Sequence, residues 1–381
     1  MLRAEFGRGV RTPVCHCKGA SYSRNPISTA DAYLYNLGMQ NQIPQQLKHW
    51  YPLRDKHQWV LGCVYKVNGP SYRKPGAMMF FNDLGEQLGL LSGGCLESDI
   101  QKYASQVMRS QQSVTVCYDG SDEDDMSFLL GIGCGGTIHI LLQPLSADNQ
   151  YLQLPSILQA LENNHESILL QKIPALDGST ETRYLANDHR DYSARLAQIG
   201  DKNGTLVEQD NQKWLATHIK PPIHLLVVGG GVDARPVVNL AVSLGWQVSL
   251  CDPRPANARR DNFMSATSIL RCAPDKLPDH ELFGSFDAAI VMTHNMQMDA
   301  DALASLQKSS VKYLALLGPA SRKQQVMAMA ELDQQSISTP IAGPAGLCLG
   351  GEIPEEIALS ILAECLAVLN QTDASSLSKL L

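Results

Sequence analysis

The chain lacks any continuous apolar run near the roughly 18 residues that a membrane-crossing helix requires, so no span is expected. It also lacks a basic excess: 31 Lys and Arg face 38 Asp and Glu, a formal net charge of -7. Without a basic stripe there is no electrostatic footprint for nucleic acid, and no polybasic or amphipathic patch to dock on an anionic membrane. The opening residues MLRAEFGRGVRTPVCHCKG carry arginines but no apolar centre of a signal peptide, so a cytoplasmic location is expected. The 10 cysteines have no framed spacing, which favours reduced thiols over a disulfide scaffold. Internal repeats and low-complexity tracts are absent as well.

What is present is ordinary globular composition, 44% hydrophobic and 18% charged, which argues against long disorder. At 381 residues the chain exceeds what one hydrophobic core normally serves, so two domains and a small intervening module are expected. Residues 1–40 show no sustained periodicity and read as an extension. Cys15, His16 and Cys17 within it have no second pair at zinc-site spacing, which favours an exposed tail over a metal site.

Residues 41–150 read as a first domain. Trp59 to Val67 is apolar and β-branched enough for a buried strand, followed by turn chemistry at Asn68-Gly69-Pro70. Met78 to Phe81 and Gln87 to Leu91 flank Asn82-Asp83-Leu84-Gly85, a hairpin signal. Ile100, Tyr103, Ala104 and Val107 then recur at helical spacing, which puts Gly93, Gly94 and Cys95 at a helix entrance. Exposed amides and the positive end of the helix dipole suit a sulfur there that coordinates a soft metal, carries a sulfane sulfur or attacks an electrophile. Cysteine is equally common as a small buried residue, and the pattern alone leaves both readings open. Glu97 is either a proton donor or the favourable acid of the first turn.

A strand over Ser113 to Cys117 leads into an acidic loop, Asp119 to Asp125, which reads as a solvated turn. The run GIGCGGTIHILLQPL then returns to a strand, and the domain closes near Pro144. Cys134, among Gly131, Gly133, Gly135 and Gly136, sits where bare backbone can approach a ligand closely. The same glycines also serve a plain tight turn. Residues 151–221 are polar and broken by short patterns, a helix at Ser156 to Glu162 and strands near Ser167 to Gln171, Gly204 to Val207 and Lys213 to Thr217. They read as a connecting subdomain.

Residues 222–381 open on the most informative stretch, LLVVGGGVDARPVVNLAVSLGWQVSLCDPRP from Leu225 to Pro255. Strand, glycine turn, helix and second strand follow one another, as a nucleotide-binding fingerprint requires. Gly229 permits the sharp turn, Gly231 lets backbone approach a phosphate, and Ala234 still allows close helix packing. Asp252 stands where a ribose hydroxyl would be gripped, roughly 20 residues beyond the turn. Asp233 complicates this, because an acid in the first helical turn repels a phosphate that competes for the same amides. The pocket is then self-capped unless Arg235 restores the balance, and a Rossmann-like fold without a dinucleotide stays open beside the binding one.

Further strands at Ser268 to Arg271, Asp287 to Thr293 and Lys312 to Leu317 alternate with helical patterns at Asp299 to Gln307 and Arg322 to Leu332, which builds a parallel sheet. His294 and Asn295 end one strand, on the side of an open sheet where ligands collect; His294 suits phosphate binding, proton shuttling or capping. Gly318, Ser321 and Arg322 repeat that layout. The run PAGLCLGGEIPEE brings another loop to a helix start, with Glu352 and Glu355. Arg254 and Arg322 with the helix starts suggest an anion site. A last helix starts at Pro354 and buries Ile357, Leu359, Ile361 and Leu362.

Several of these segments together resemble the XdhC/CoxI family, accessory proteins for maturation of xanthine dehydrogenase and related molybdenum hydroxylases. The first domain carries GPSYRKPGAMM, LSGGCLESDI and GIGCGG. The second carries LLVVGGGVDARP, VSLCDPRP, VMTHNMQMDADAL, LALLGPASRK and GPAGLCLGGEIPEEIALSILAE. The resemblance runs from about Ile43 to Asn370 and implies an α/β protein, with an N-terminal α/β XdhC/CoxI-type domain and a C-terminal Rossmann-like parallel-sheet domain. It implies a cofactor chaperone rather than an enzyme. Such a protein binds the molybdenum cofactor (molybdopterin), protects it while a partner cysteine desulfurase installs its terminal sulfur, and delivers it to the molybdenum hydroxylase apoenzyme.

On that reading the pterin phosphate, or a dinucleotide's diphosphate, sits on the Gly229 to Gly231 turn while Cys95 faces the metal. Candidate cofactor contacts are Gly93, Gly94, Cys95, Glu97, Cys134 and Gly135 in the first domain. Gly229, Gly231, Asp252, Arg254 and His294 are their counterparts in the second, and a homo-oligomer is expected. Two departures fall inside the anion pocket: the family commonly has a histidine where this chain has Val232, and its glycine turn is not usually followed by an acid such as Asp233. The alternative reading is an NAD(P)-dependent oxidoreductase built on the Rossmann-like domain, although no acid-base set stands out beyond His294.

Overall fold

A computed structural model describes residues 41–120, 136–174, 180–333 and 337–380. Its first sheet is antiparallel, in the order β3-β2-β1-β5-β4. The strands are β1 (Trp59–Asn68), β2 (Met78–Asn82), β3 (Gln87–Gly89), β4 (Val114–Asp119) and β5 (Thr137–Leu145). The β2 to β3 turn closes because the Asn82 side-chain oxygen accepts from the amides of Leu84 and Glu86, with Gly85 at φ +83°.

Successive side chains in a strand face opposite ways, and here both faces are covered, so β1 and β2 read as nearly unbroken apolar runs. Val60, Val64, Met79 and Phe81 pack on one side against Ile100, Ala104 and Val107 of a helix, Glu97–Ser110. Trp59, Leu61, Met78 and Phe80 face the other way, onto Leu47 and Trp50 of a helix at Ile43–Trp50. In chain order these helices are α1 (Ile43–Trp50) and α2 (Glu97–Ser110).

That second face also receives the stretch 151–221, whose role differs from a connector. Helix α3 (Leu154–Glu162) and a second antiparallel sheet, ordered β7-β6-β9-β8, lie on it. The strands are β6 (Ser167–Lys172), β7 (Thr182–Ala186), β8 (Gly204–Gln209) and β9 (Gln212–Ile219). Leu154, Ile157, Leu169, Leu215 and Ile219 share one core with Trp59 and Leu61, so the two sheets form layers of one body. A buried polar tie crosses the layers, from the Gln171 amide to the Gln143 oxygen at 2.7 Å. The far face carries α4 (Tyr192–Ile199), with Tyr192 and Ile199 against Ile168 and Trp214.

The third sheet is parallel throughout, in the order β12-β11-β10-β13-β14-β15. Its strands are β10 (His224–Val228), β11 (Gln247–Cys251), β12 (Ser268–Leu270), β13 (Ala288–Val291), β14 (Tyr313–Leu316) and β15 (Ile341–Ala342). Counted from β10 this is the 3-2-1-4-5-6 order of a doubly wound fold, with its switch point between β10 and β13. Leu225 and Val227 pack on α5 (Ala234–Ser243) and, with it, on Ile361 and Leu362 of the last helix. Leu226 and Val228 face α6 (Met296–Leu306) and α7 (Ala320–Met329) on the other side. The last helix, α8 (Pro354–Leu369), departs from expectation at Leu359, which is 54% exposed, because the sheet covers only one stripe of it. Among the described residues no helix is long and apolar enough to cross a membrane.

Leu215 comes from the second sheet yet is wholly buried in the core shared with the first. Leu215→Ala is therefore expected to cost about 2–5 kcal/mol in denaturant unfolding followed by circular dichroism. A loss below about 1 kcal/mol, under the range for a buried leucine, would mean that the layers do not share a core.

Candidate functional site

Antiparallel pairing brings the end of β1, the start of β2, the end of β3, the end of β4 and the start of β5 to one end of the first sheet. The connecting loops meet there. A side chain at Gly136 would collide with the Pro70 carbonyl, and one at Gly76 would press on the backbone of Asn203 at 3.0 Å. Glycine at these two points lets three chain segments touch through bare backbone. Cys134 and Gly135 lie outside the described residues, so only the edge of their loop, at Gly136, is placed.

The loop that carries Cys95 is held by Ser92 and Glu97. The Glu97 carboxylate accepts from the amides of Leu91 at 3.2 Å and Ser92 at 2.8 Å, and from the Ser92 hydroxyl. The same hydroxyl oxygen accepts from the amides of Gly94 at 3.2 Å and Leu96 at 3.1 Å. Glu97 is buried, and these three donors make it a clasp for the loop. Cys95 is half-buried, with its sulfur 3.7 Å from the Ser92 hydroxyl and one side against the α2 core. Gly94, at φ +102°, has no atom within 4 Å of where a side chain would project, and Gly93 has only the Tyr72 ring, at 4.0 Å. Tyr72 is itself exposed. A glycine-walled approach beside a positioned sulfur results.

Among the described residues no three His, Cys, Asp or Glu side chains converge as a metal set. No hydrogen bond or ion pair among the described residues joins this loop to the Gly229 turn.

The second cluster sits at the switch point. The Gly229 amide donates to the Cys251 carbonyl at 2.8 Å, and the residue adopts φ +118° with its would-be side chain 2.5 Å from the Met292 carbonyl. Only glycine serves there. Asp252 departs from the ribose-gripping role expected of it. Its buried carboxylate accepts five donors: the Gly230 amide at 2.8 Å, the Arg254 amide at 2.9 Å, Arg254 Nε at 2.9 Å, Arg254 Nη2 at 2.7 Å and Asn257 Nδ2 at 3.2 Å. Burial alone would raise its pKa, but the bonds from Arg254, Gly230 and Asn257 outweigh that and hold it below the ordinary range. No lone pair remains for a ligand hydroxyl.

Arg254 also donates to the Thr293 carbonyl at 3.2 Å, and Arg322 is bound to the buried carboxylate of Asp299. Both arginines expected at an anion site are thus neutralised by an acid. His294 adopts the left-handed conformation at φ +59°, rare for a residue with a side chain, and its Nε2 meets Asp233 Oδ2 at 2.7 Å. The other Asp233 oxygen lies over Gly231, where an incoming anion would meet it. Capping of α6 falls to Asn295, which accepts from the Met298 amide at 3.0 Å. Ser92, Tyr72, Thr293 and Asp299 stand in these two clusters, and the sequence reading did not single them out. The one local signal was a serine opening SGGC five residues before a glutamate.

A parallel 3-2-1-4-5-6 sheet with its glycine turn at the switch point defines a Rossmann-type domain, joined here to a two-layer antiparallel domain whose loops present a cysteine. Residues 225–365 match the XdhC Rossmann domain and residues 53–119 the XdhC and CoxI family, and the chain belongs to that family. It is 31% identical over 320 residues, 82% of this chain and 93% of the relative, to a probable xanthine dehydrogenase subunit of Bacillus subtilis. The molybdenum cofactor insertion chaperone PaoD of Escherichia coli is 23% identical over 328 residues, 84% of this chain and 86% of that one. A crystal structure described as a xanthine dehydrogenase from Bacillus halodurans superposes with a TM-score of 0.73 at 29% identity, covering 88% of this chain and 98% of that one.

Two outcomes follow from this geometry. Ser92→Ala removes the hydroxyl that two amides and Glu97 share, so it should cost about 1–3 kcal/mol and speed alkylation of Cys95, read by peptide mass spectrometry. Asp252 has a depressed folded-state pKa, so its stabilising effect is complete above the ordinary value of 3.8 and is lost as pH falls through the lower one. Asp252→Asn should therefore flatten this part of the acid limb of a stability-against-pH curve and cost about 1–3 kcal/mol at neutral pH. An unaltered acid limb would contradict the charge assignment.

Proposed function

We propose that this chain is a maturation factor that takes the molybdenum cofactor as cargo and delivers it to the apoenzyme of a xanthine dehydrogenase or a related molybdenum hydroxylase. The observation that carries the reading is the positioned, half-exposed sulfur of Cys95 beside the open wall at Gly94, in the loop cluster built from the family's first-domain segments. A lone sulfur suits a metal that arrives with most of its ligands in place, as a pterin-bound molybdenum does. Gly93 and Gly94 admit bulk close to the backbone, and Tyr72 offers an exposed ring on one side.

The phosphate arm of the cargo is assigned to the Gly229 to Gly231 turn, which accepts it once Asp233 leaves Gly231. A partner cysteine desulfurase supplies the terminal sulfur while the cargo is held. The protein acts as an accessory factor without turnover of its own. Likeness to a relative named as a molybdenum cofactor insertion chaperone, over most of both chains, supports this reading. The saturated carboxylate of Asp252 weighs against the NAD(P) oxidoreductase alternative, which needs it for a ribose hydroxyl.

The test is anaerobic isolation from a host that makes the cofactor, followed by molybdenum and pterin analysis. Wild-type protein should carry both, and Cys95→Ala should lose about 10-fold or more of each and lower the activity of a co-expressed hydroxylase. Equal contents in the variant would remove Cys95 from the proposal. Wild-type protein free of both would leave a scaffold that brings desulfurase and apoenzyme together.

A further inference from the structure

Two cysteines lie beneath the glycine turn, outside the loop assigned to the cargo's metal. Cys251 ends β11 and is buried, while Cys272 follows β12 and is half-buried. Parallel pairing of Cys251 with Leu270 sets the two strand ends side by side, and the sulfurs stand 3.9 Å apart. That is van der Waals contact, from which side-chain rotation must close the gap to the roughly 2.05 Å of a disulfide.

The surroundings divide the pair chemically. The two sulfurs are in contact and Cys251 Sγ also lies 3.5 Å from the Cys272 carbonyl oxygen; the contact with Cys251 lowers the pKa of the Cys272 thiol. The same contact, together with burial, pushes Cys251 far up. The half-buried Cys272 is thus the more readily ionised sulfur, and the buried Cys251 the one that keeps its proton.

We propose that Cys251 and Cys272 are a redox-active dithiol that a peroxide converts into an intramolecular disulfide under the glycine turn. The Cys272 thiolate attacks one peroxide oxygen, the O–O bond breaks, and hydroxide leaves as Cys272 becomes a sulfenic acid. The sulfur of Cys251 then attacks the sulfenic sulfur, the S–O bond breaks, and the departing hydroxide takes the Cys251 proton as water. Two thiols and one peroxide give one disulfide and two waters, with the two electrons passing from sulfur to oxygen. The link is tied to the cradle, because the Cys251 carbonyl accepts from Gly229 at 2.8 Å and the next residue, Asp252, from Gly230 at 2.8 Å. Oxidation therefore fixes the strand end from which the turn hangs.

The experiment treats reduced, full-length protein, freed of reductant, with hydrogen peroxide. Remaining thiols are then blocked with iodoacetamide, and tryptic peptides are mapped without reduction. The peptide that begins at Cys272 should be recovered linked to the one that carries Cys251, and a reductant should release it. Cys251→Ser should leave Cys272 as a sulfenic acid that dimedone traps. Cys272→Ser should abolish the link at a half-buried position, so the test stands even if the buried variant fails to fold. Over-oxidation of Cys272 to a sulfinic acid in the wild type without a linked peptide would overturn the proposal. So would oxidation of other cysteines while this pair stays reduced.

Discussion

The second domain is organised around a carboxylate from which water is excluded. A buried charge costs several kcal/mol unless it is paired and hydrogen-bonded, so Asp252 forces its donors into place. Those donors come from two strand ends, Gly230 after β10 and Arg254 and Asn257 after β11, and Arg254 in turn donates to the Thr293 carbonyl after β13. The glycine turn has its shape because it must complete this set. Asp299 repeats the device one strand further on, where its buried carboxylate accepts the Thr293 amide and hydroxyl on one oxygen and Arg322 on the other. Glu97 does the same for the Cys95 loop with the amides of Leu91 and Ser92.

These clasps leave the two loop clusters in opposite states. Around Cys95 the carboxylate faces inward and the glycines outward, so the sulfur has an open flank. At the switch point the capping acid faces outward over Gly231 and is held there by His294. The Asp233 side chain caps no amide of α5, so its place over Gly231 depends on the contact with His294.

Much of the architecture was legible from periodicity and turn chemistry. The apolar, β-branched run from Trp59 to Val67 marked β1, and the asparagine-to-glycine turn after Phe81 marked the β2 to β3 hairpin. Strand β7 and helix α4 escaped notice because Thr182–Ala186 and Tyr192–Ile199 bury few residues and carry weak apolar patterns. The stretch 151–221 looked like a connector for a related reason: its apolar residues are sparse along the chain and become a core only against β1 and α1. Leu359 read as buried from helical spacing, which cannot tell how wide a stripe the neighbouring sheet will cover.

Local patterns in the sequence by themselves determined the strands, the helices, the glycine turn and the rarity of basic surface, since backbone sterics, side-chain period and net charge act over a few residues or as plain sums. The partners of each charge were decided only by tertiary structure. Asp252 reads the same in sequence whether it faces a ribose or Arg254, and Cys251 gives no sign that Cys272 will lie against it. Those outcomes depend on which strand ends the parallel sheet sets side by side and on the exclusion of water there, and both arise only when distant segments pack.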